Sequence, residues 1–161
     1  AVADLAHHLS AAIGTDGLIG GQALDLEAQS PESKGAVSLD RLEYIHSHKT
    51  GALFLAAAEL GAMAAGTSRR NLEMVAGYAK NLGLAFQISD DLLDVVATSE
   101  ETGKDSGQDL DKVTFVKLLG VEGARALEAE LLEFSVAAIA PLGAKAAALH
   151  ALADLVRHRR H

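Results

Sequence analysis

Apolar residues recur at helical spacing along most of the chain, whereas no segment shows the alternation of a half-buried strand. No internal repeat interrupts this pattern. It predicts an all-α bundle of long helices with short connections, forming one helical domain over residues 1–161. The predicted helices cover residues 1–29, about 38–65, about 69–97, 112–120, 121–140, and the segment after Pro141.

Two features qualify the helical pattern. Gly14, Gly17, Gly20 and Gly21 weaken the first helix, because each glycine costs about 1 kcal/mol relative to alanine in a helix interior. Four of them suggest the close approach of another helix or a ligand. The polar, glycine-bearing segment at about 99–112 is predicted to be a lid-like functional loop.

Composition excludes several classes of function. The 161 residues carry a formal net charge of -8, which argues against nucleic acid as a partner, and no cysteine, which excludes disulfides and thiolate catalysis. No uninterrupted apolar run has the length of a membrane span, and no signal peptide is visible. We therefore expect a cytoplasmic protein. The chain begins without Met and in mid-pattern, as though it were part of something longer.

The segment FQISDDLLDV, residues 86–95, places three aspartates in an apolar run. At about 100° per residue, Asp90, Asp91 and Asp94 fall near −60°, +40° and −20° from Gln87, so all four share one stripe. Like charges at this spacing repel, and no lysine or arginine lies within a turn of them. The stripe is either an ordinary solvated face or a site for Mg²⁺, which binds carboxylates, waters and phosphates.

Two lysine-bearing segments could complete such a site. HSHKTG, residues 46–51, places His46, Lys49 and Thr50 on one helix face, and a lysine with a hydroxyl can hold a phosphate oxygen. GKDSGQDLDK, residues 103–112, follows the aspartate helix. Each segment alone is also typical of a solvated charged surface, but together with the aspartates they describe a diphosphate site.

The order and spacing of these motifs resemble the trans-type isoprenyl diphosphate synthases, which include farnesyl and geranylgeranyl diphosphate synthases. The resemblance implies an all-α, isoprenoid-synthase-type bundle, usually a homodimer, with two aspartate-rich motifs facing one cavity. It also implies Mg²⁺ as cofactor, with allylic diphosphate and isopentenyl diphosphate as substrates. The matching stretches are GLIGGQALDL (17–26), IHSHKTGAL (45–53), GLAFQISDDLLDV (83–95) and GKDSGQDLDKVTFVKLLG (103–120).

The resemblance also implies roles for individual residues. Asp90, Asp91 and Asp94 match the second aspartate-rich motif, with Asp90 as the direct metal ligand, and Asp109 resembles a carboxylate that holds metal-bound water. The remaining matches are lysines that clamp diphosphate (Lys49, Lys104, Lys112), groups beside the reacting allyl segment (Thr50, Gln87), cavity-facing or helix-packing residues (Gln22, Asp25), and a basic tail that closes over the site or complements the helix dipole (Arg157, Arg159, Arg160).

The first aspartate-rich motif is not in this sequence, so the chain resembles the C-terminal half of the family. We expect that it does not turn over by itself. Two alternatives stay open: a non-catalytic regulatory subunit of a prenyl synthase, and a helical interaction module with a solvated acidic stripe. The sequence does not indicate the length of the product.

Overall fold

The structure, a computed structural model, describes residues 2–30, 37–100 and 113–159. These residues contain no strand, so the prediction of an all-α protein is confirmed. The helices are α1 (Val2–Ile13), α2 (Leu18–Ala28), α3 (Leu39–Lys49), α4 (Gly51–Ala64), α5 (Arg69–Glu100), α6 (Phe115–Ile139) and α7 (Ala147–Arg157), with a 3₁₀ segment at Ala140–Ala146.

The 32-residue helix α5 is the centre of the fold. It packs along α6 over most of its length and also contacts α3, α4 and α7. Its buried face presents Tyr78, Leu82, Ala85 and Ile88, spaced three or four residues apart, to the apolar side chains of its neighbours. This spacing determines the apolar part of the buried side of α5, and two polar residues, Ser89 and Asp91, are buried with it.

Two predicted helices are divided in the structure. The first is broken between Ile13 and Leu18, where the chain folds back so tightly that a Cβ at Gly17 would lie 2.7 Å from the carbonyl carbon of Ala12. The second bends at Thr50, which separates α3 from α4. The predicted boundary between the helices 112–120 and 121–140 coincides with a kink in α6 at Gly120, whose backbone is not helical and whose φ is +71°.

One helical stretch, Phe115–Arg157, is long and apolar enough to cross a membrane by length and composition. A helix that packs inside a bundle passes the same test, and α6 lies against α5. Sharp backbone departures at Gly120 and Gly143 also interrupt this stretch.

Tyr78 connects three helices. Its hydroxyl donates to the carbonyl oxygen of Leu149 in α7 at 2.7 Å, and its own carbonyl oxygen accepts from the Ser135 hydroxyl in α6 at 3.1 Å. The Tyr78 ring is almost completely buried. This burial raises the pKa of Tyr78 to about 12.

Replacing Tyr78 with Phe should lower the free energy of unfolding by about 1 kcal/mol, because the Leu149 carbonyl loses its donor. The wild-type protein should also lose stability as the pH rises from 10 to about 12, since the unfolded chain releases the phenol proton first. Urea unfolding measures the free energy of unfolding in both experiments, and phenolate absorbance measures the ionisation of Tyr78. Tyr44→Phe, at an exposed tyrosine, is the control. Equal stability of Tyr78→Phe and Tyr44→Phe would contradict this account.

Candidate functional site

The three aspartates of α5 have three different surroundings. Asp91 is buried, with 4% of its surface exposed, and its Oδ2 accepts a hydrogen bond from the backbone N–H of Phe115 at 2.8 Å. Asp90 is partly exposed, and Asp94 lies on the exposed surface. The helical stripe therefore spans the boundary between the protein interior and solvent.

Asp91 anchors the beginning of α6. Phe115 is the first residue of that helix, and Thr114 caps it by accepting from the Lys117 N–H at 3.2 Å. Asp91 satisfies another N–H that has no partner within the helix, and its negative charge is favourable at a helix N-terminus. The buried ring of His46, from α3, lies 5.5 Å from the Phe115 ring between centroids. Helices α3, α5 and α6 thus meet at Phe115.

Asp90 is paired with the C-terminal segment of the described chain. Its Oδ1 forms an ion pair with the Arg159 guanidinium, and Gln87 Nε2 donates a long hydrogen bond of 3.4 Å to its Oδ2. The same guanidinium lies over the Phe86 ring, 4.5 Å from the centroid. Arg159 therefore lies beside the aspartate helix.

Of the three carboxylates predicted to hold a metal, those of Asp90 and Asp94 are the more accessible. In the described part of the chain, no three His, Asp or Glu side chains converge into a metal-binding cluster. Magnesium often takes only one or two protein carboxylates, with water and phosphate oxygens completing its coordination. Asp90 and Asp94 lie one helical turn apart on the more accessible side of α5, so their oxygens fit this requirement. Asp91 is already engaged with Phe115.

Lys49, the predicted diphosphate clamp, is held by Asp25. Its Nζ donates to Asp25 Oδ2 at 2.5 Å, and the carboxylate is buried at one end of this ion pair. Thr50 follows at the bend between α3 and α4, and Gln22 lies half-buried on α2. The structure thus joins two residues that the sequence could place only on separate helices.

The end of α3 runs beside the polar part of α5. A Cβ at Gly83 would lie 3.3 Å from the Cα of Gly51, so the first residue of α4 nearly touches the α5 backbone there. One turn before Lys49, His46 lies against Phe115, the hydrogen-bond partner of Asp91. Residues 46–51 therefore extend along α5 between Gly83 and Asp91.

Sequence patterns did not reveal Glu128, which lies behind the aspartate segment. Its half-buried carboxyl is close to the side chain of Ser89, which lies between Ile88 and Asp90 on α5. Burial raises the pKa of Glu128, although the Ser89 side chain and the charges of Arg125 and Arg157 oppose this shift. Arg157 thus acts near Glu128, whereas Arg159 pairs with Asp90.

Several predicted site residues lie outside the described residues. They belong to the predicted lid-like loop and to the chain's last residues, and their roles stay predictions from the resemblance. These residues are Lys104, Asp109, Lys112 and Arg160.

Comparison with known proteins identifies the family. The pattern of the Polyprenyl synthetase family matches residues 3–147. Farnesyl diphosphate synthase of Escherichia coli is 45% identical over 94% of this chain and 51% of its own length. Geranylgeranyl pyrophosphate synthase of Capsicum annuum, named as chloroplastic, is 43% identical over 99% of this chain and 42% of its own length.

Solved structures agree with the sequence comparison. An FPP/GFPP synthase from Zymomonas mobilis superposes with a TM-score of 0.81 at 33% identity, over 95% of this chain and 50% of that one. A geranyltransferase from Helicobacter pylori, complexed with magnesium and isoprenyl diphosphate, gives 0.77 at 30% identity, over 97% of this chain and 50% of that one.

The chain belongs to the polyprenyl synthetase family and has the all-α fold of the isoprenoid synthases. Both the family resemblance and the predicted fold class are therefore confirmed. The chain spans about half the length of the relatives it matches.

Proposed function

We propose that this chain supplies the second aspartate-rich motif of a prenyltransferase site that condenses an allylic diphosphate with isopentenyl diphosphate. The observation that carries the proposal is the family match over residues 3–147. The names of the relatives, farnesyl diphosphate and geranylgeranyl pyrophosphate synthases, support this class of reaction. Because the chain spans about half of those relatives, the proposal concerns what these residues contribute to the site.

In this proposal Asp90 and Asp94 hold magnesium through their carboxylate oxygens. When bound, Mg²⁺ would stabilise the negative charge on the departing diphosphate. Asp91 keeps the first turn of α6 against α5, so that the neighbouring carboxylates have a fixed support. Its contribution would then be to hold the site together, and its expected role as a metal ligand stays a prediction from the resemblance.

The groups around the carboxylates would bind and orient the substrate. Lys49 would direct its ammonium group at a diphosphate oxygen, and Lys104 and Lys112 would do so from the loop. Thr50 and Gln87 would turn their dipoles towards positive charge on the allyl segment. Asp109 would hold metal-bound water, as the resemblance implies. Arg159 pairs with Asp90, so a cation that arrives there has to displace the guanidinium or share the carboxylate with it.

The ion pair between Arg159 and Asp90 is also what a helical interaction module would need, since it neutralises one partly exposed carboxylate of the acidic stripe. Calorimetric titration with Mg²⁺ and inorganic diphosphate separates the two functions. We expect diphosphate to bind in the presence of Mg²⁺, and Asp90→Asn to weaken this binding by roughly tenfold or more.

Glu73→Gln is the matched control, because it removes an exposed carboxylate from the same helix, nearly five turns away. It should bind as the wild-type chain does. No binding of magnesium and diphosphate by the wild-type chain would overturn the proposal, as would equal affinities of the Asp90→Asn and Glu73→Gln variants. The 161 residues alone are expected not to turn over, because the first aspartate-rich motif is not among them.

We also propose that the protein is a homodimer. Helix α1 buries none of its residues, and five large apolar side chains of α1 and α2 are exposed: Val2, Leu9, Ile13, Ile19 and Leu26. Such an apolar surface favours association. A cytoplasmic location stays a prediction, and the Capsicum annuum relative is named as chloroplastic.

A further inference from the structure

Helix α2 holds Lys49 at two points. Gly21 faces the backbone of Lys49 so closely that a Cβ there would lie 2.7 Å from both the Lys49 Cα and the carbonyl carbon of His48. One turn later on the same face of α2, the Asp25 carboxylate accepts from Lys49 Nζ at 2.5 Å. The backbone and the ammonium group of one lysine are therefore fixed by one helix.

A second ion pair between the same helices shows what is special about the first. Glu27 and Arg41 also join α2 to α3, but at 3.5 Å and with side chains that are 60% and 40% exposed. An exposed pair of this kind contributes little, because water screens the charges and both side chains move. The Asp25 side chain is only 9% exposed, whereas Lys49 keeps 30% of its side chain accessible.

We propose that Asp25 is a positioning residue that acts through Lys49: it orients the ammonium group towards diphosphate and does not itself contact the substrate. The inference rests on the proposed function. A free lysine side chain has many rotamers, and ordering them on binding opposes affinity. Asp25 restricts these rotamers before the anion arrives, while the accessible part of the Lys49 side chain stays available to the ligand.

The alternative for Asp25 is a purely electrostatic one. A carboxylate near a diphosphate repels it, so removing the charge of Asp25 would tighten diphosphate binding if Lys49 needed no orientation. Positioning and repulsion therefore predict opposite changes in affinity for the same variant. This opposition allows a binding measurement to decide between them.

The test is the affinity of the protein for inorganic diphosphate with Mg²⁺, measured by calorimetry for Asp25→Asn, Lys49→Gln and the double variant. We expect Asp25→Asn to weaken binding roughly tenfold, the usual order for a residue that orients a ligand group. In the Lys49→Gln background, Asp25→Asn should have almost no further effect. Glu27→Gln, which removes a carboxylate from the same helix, should bind as the wild type does.

Two further measurements separate positioning from a general loss of structure. Acetylation of Lys49, followed by mass spectrometry, should become several times faster in Asp25→Asn and stay unchanged in Glu27→Gln. Asp25→Glu, which keeps the charge, should recover most of the affinity. Thermal unfolding identifies any variant that fails to fold. If Asp25→Asn fails to fold, the acetylation rate of Lys49 in folded Asp25→Glu tests the contact between residue 25 and Lys49 instead.

Different results would contradict the proposed function and the positioning role of Asp25. If the wild-type protein does not bind diphosphate, the proposed function is wrong. If it binds and Lys49→Gln weakens binding, but Asp25→Asn binds equally well or more tightly, the positioning role is wrong. Equal losses from Asp25→Asn with and without Lys49 would also overturn it, because Asp25 would then act by another route.

Discussion

Replacing Gly21 with Ala should destabilise the protein by about 3 kcal/mol, at the upper end of what overpacking usually costs. The new methyl group would overlap the backbone of His48 and Lys49, which has no rotamer through which to move away. Helices α2 and α3 would have to separate, and the ion pair between Asp25 and Lys49 would lengthen. Urea unfolding measures the stability, and the acetylation rate of Lys49 reports the loss of the ion pair.

Gly61→Ala is the control for Gly21→Ala. Gly61 lies inside α4, and a Cβ there would meet no atom within 4 Å. Alanine should therefore stabilise the protein by about 0.5–1 kcal/mol through its better helix propensity. If Gly21→Ala proved as stable as the wild-type protein, the close approach of α2 to α3 would be wrong.

Replacing Asp91 with Ala should cost about 2–3 kcal/mol without any metal present, because the variant loses a charged acceptor and leaves the Phe115 N–H buried. Asp91→Asn should lose less, since its amide oxygen can still accept. Asp94→Ala, on the exposed surface of the same turn, should stay within about 0.5 kcal/mol of the wild-type protein. Urea unfolding in the presence of a chelator measures all three variants.

The opposite pattern would show that Asp91 does not anchor α6. If Asp91→Ala and Asp94→Ala were equally stable in chelator, the hydrogen bond to Phe115 would contribute nothing. A loss for Asp91→Ala that appears only in the presence of Mg²⁺ would likewise contradict its anchoring of α6. The comparison therefore separates a role in holding α6 from a role in binding metal.

The helical pattern determined the fold class and the polar side of α5. Apolar spacing is a local property, because the residues that share a helix face are three or four positions apart. The same spacing placed Gln87, Asp90, Asp91 and Asp94 near one another, and the motifs of which they are part indicated the family. The helical pattern predicted the breaks at residues 14–17 and Thr50 less well, because a bend in a helix depends on what packs against it.

Only the tertiary structure decided how the polar residues are used. Asp91 accepts from Phe115, which is 24 residues further along the chain, and Asp90 pairs with Arg159, which is 69 residues away. Neither contact leaves a signal in local spacing. The bond between Lys49 and Asp25 likewise requires two helices to approach until Gly21 meets the α3 backbone. The sequence thus determined which residues carry charge on each helix, whereas packing between helices decided which charges meet, since that depends on distances that no local pattern contains.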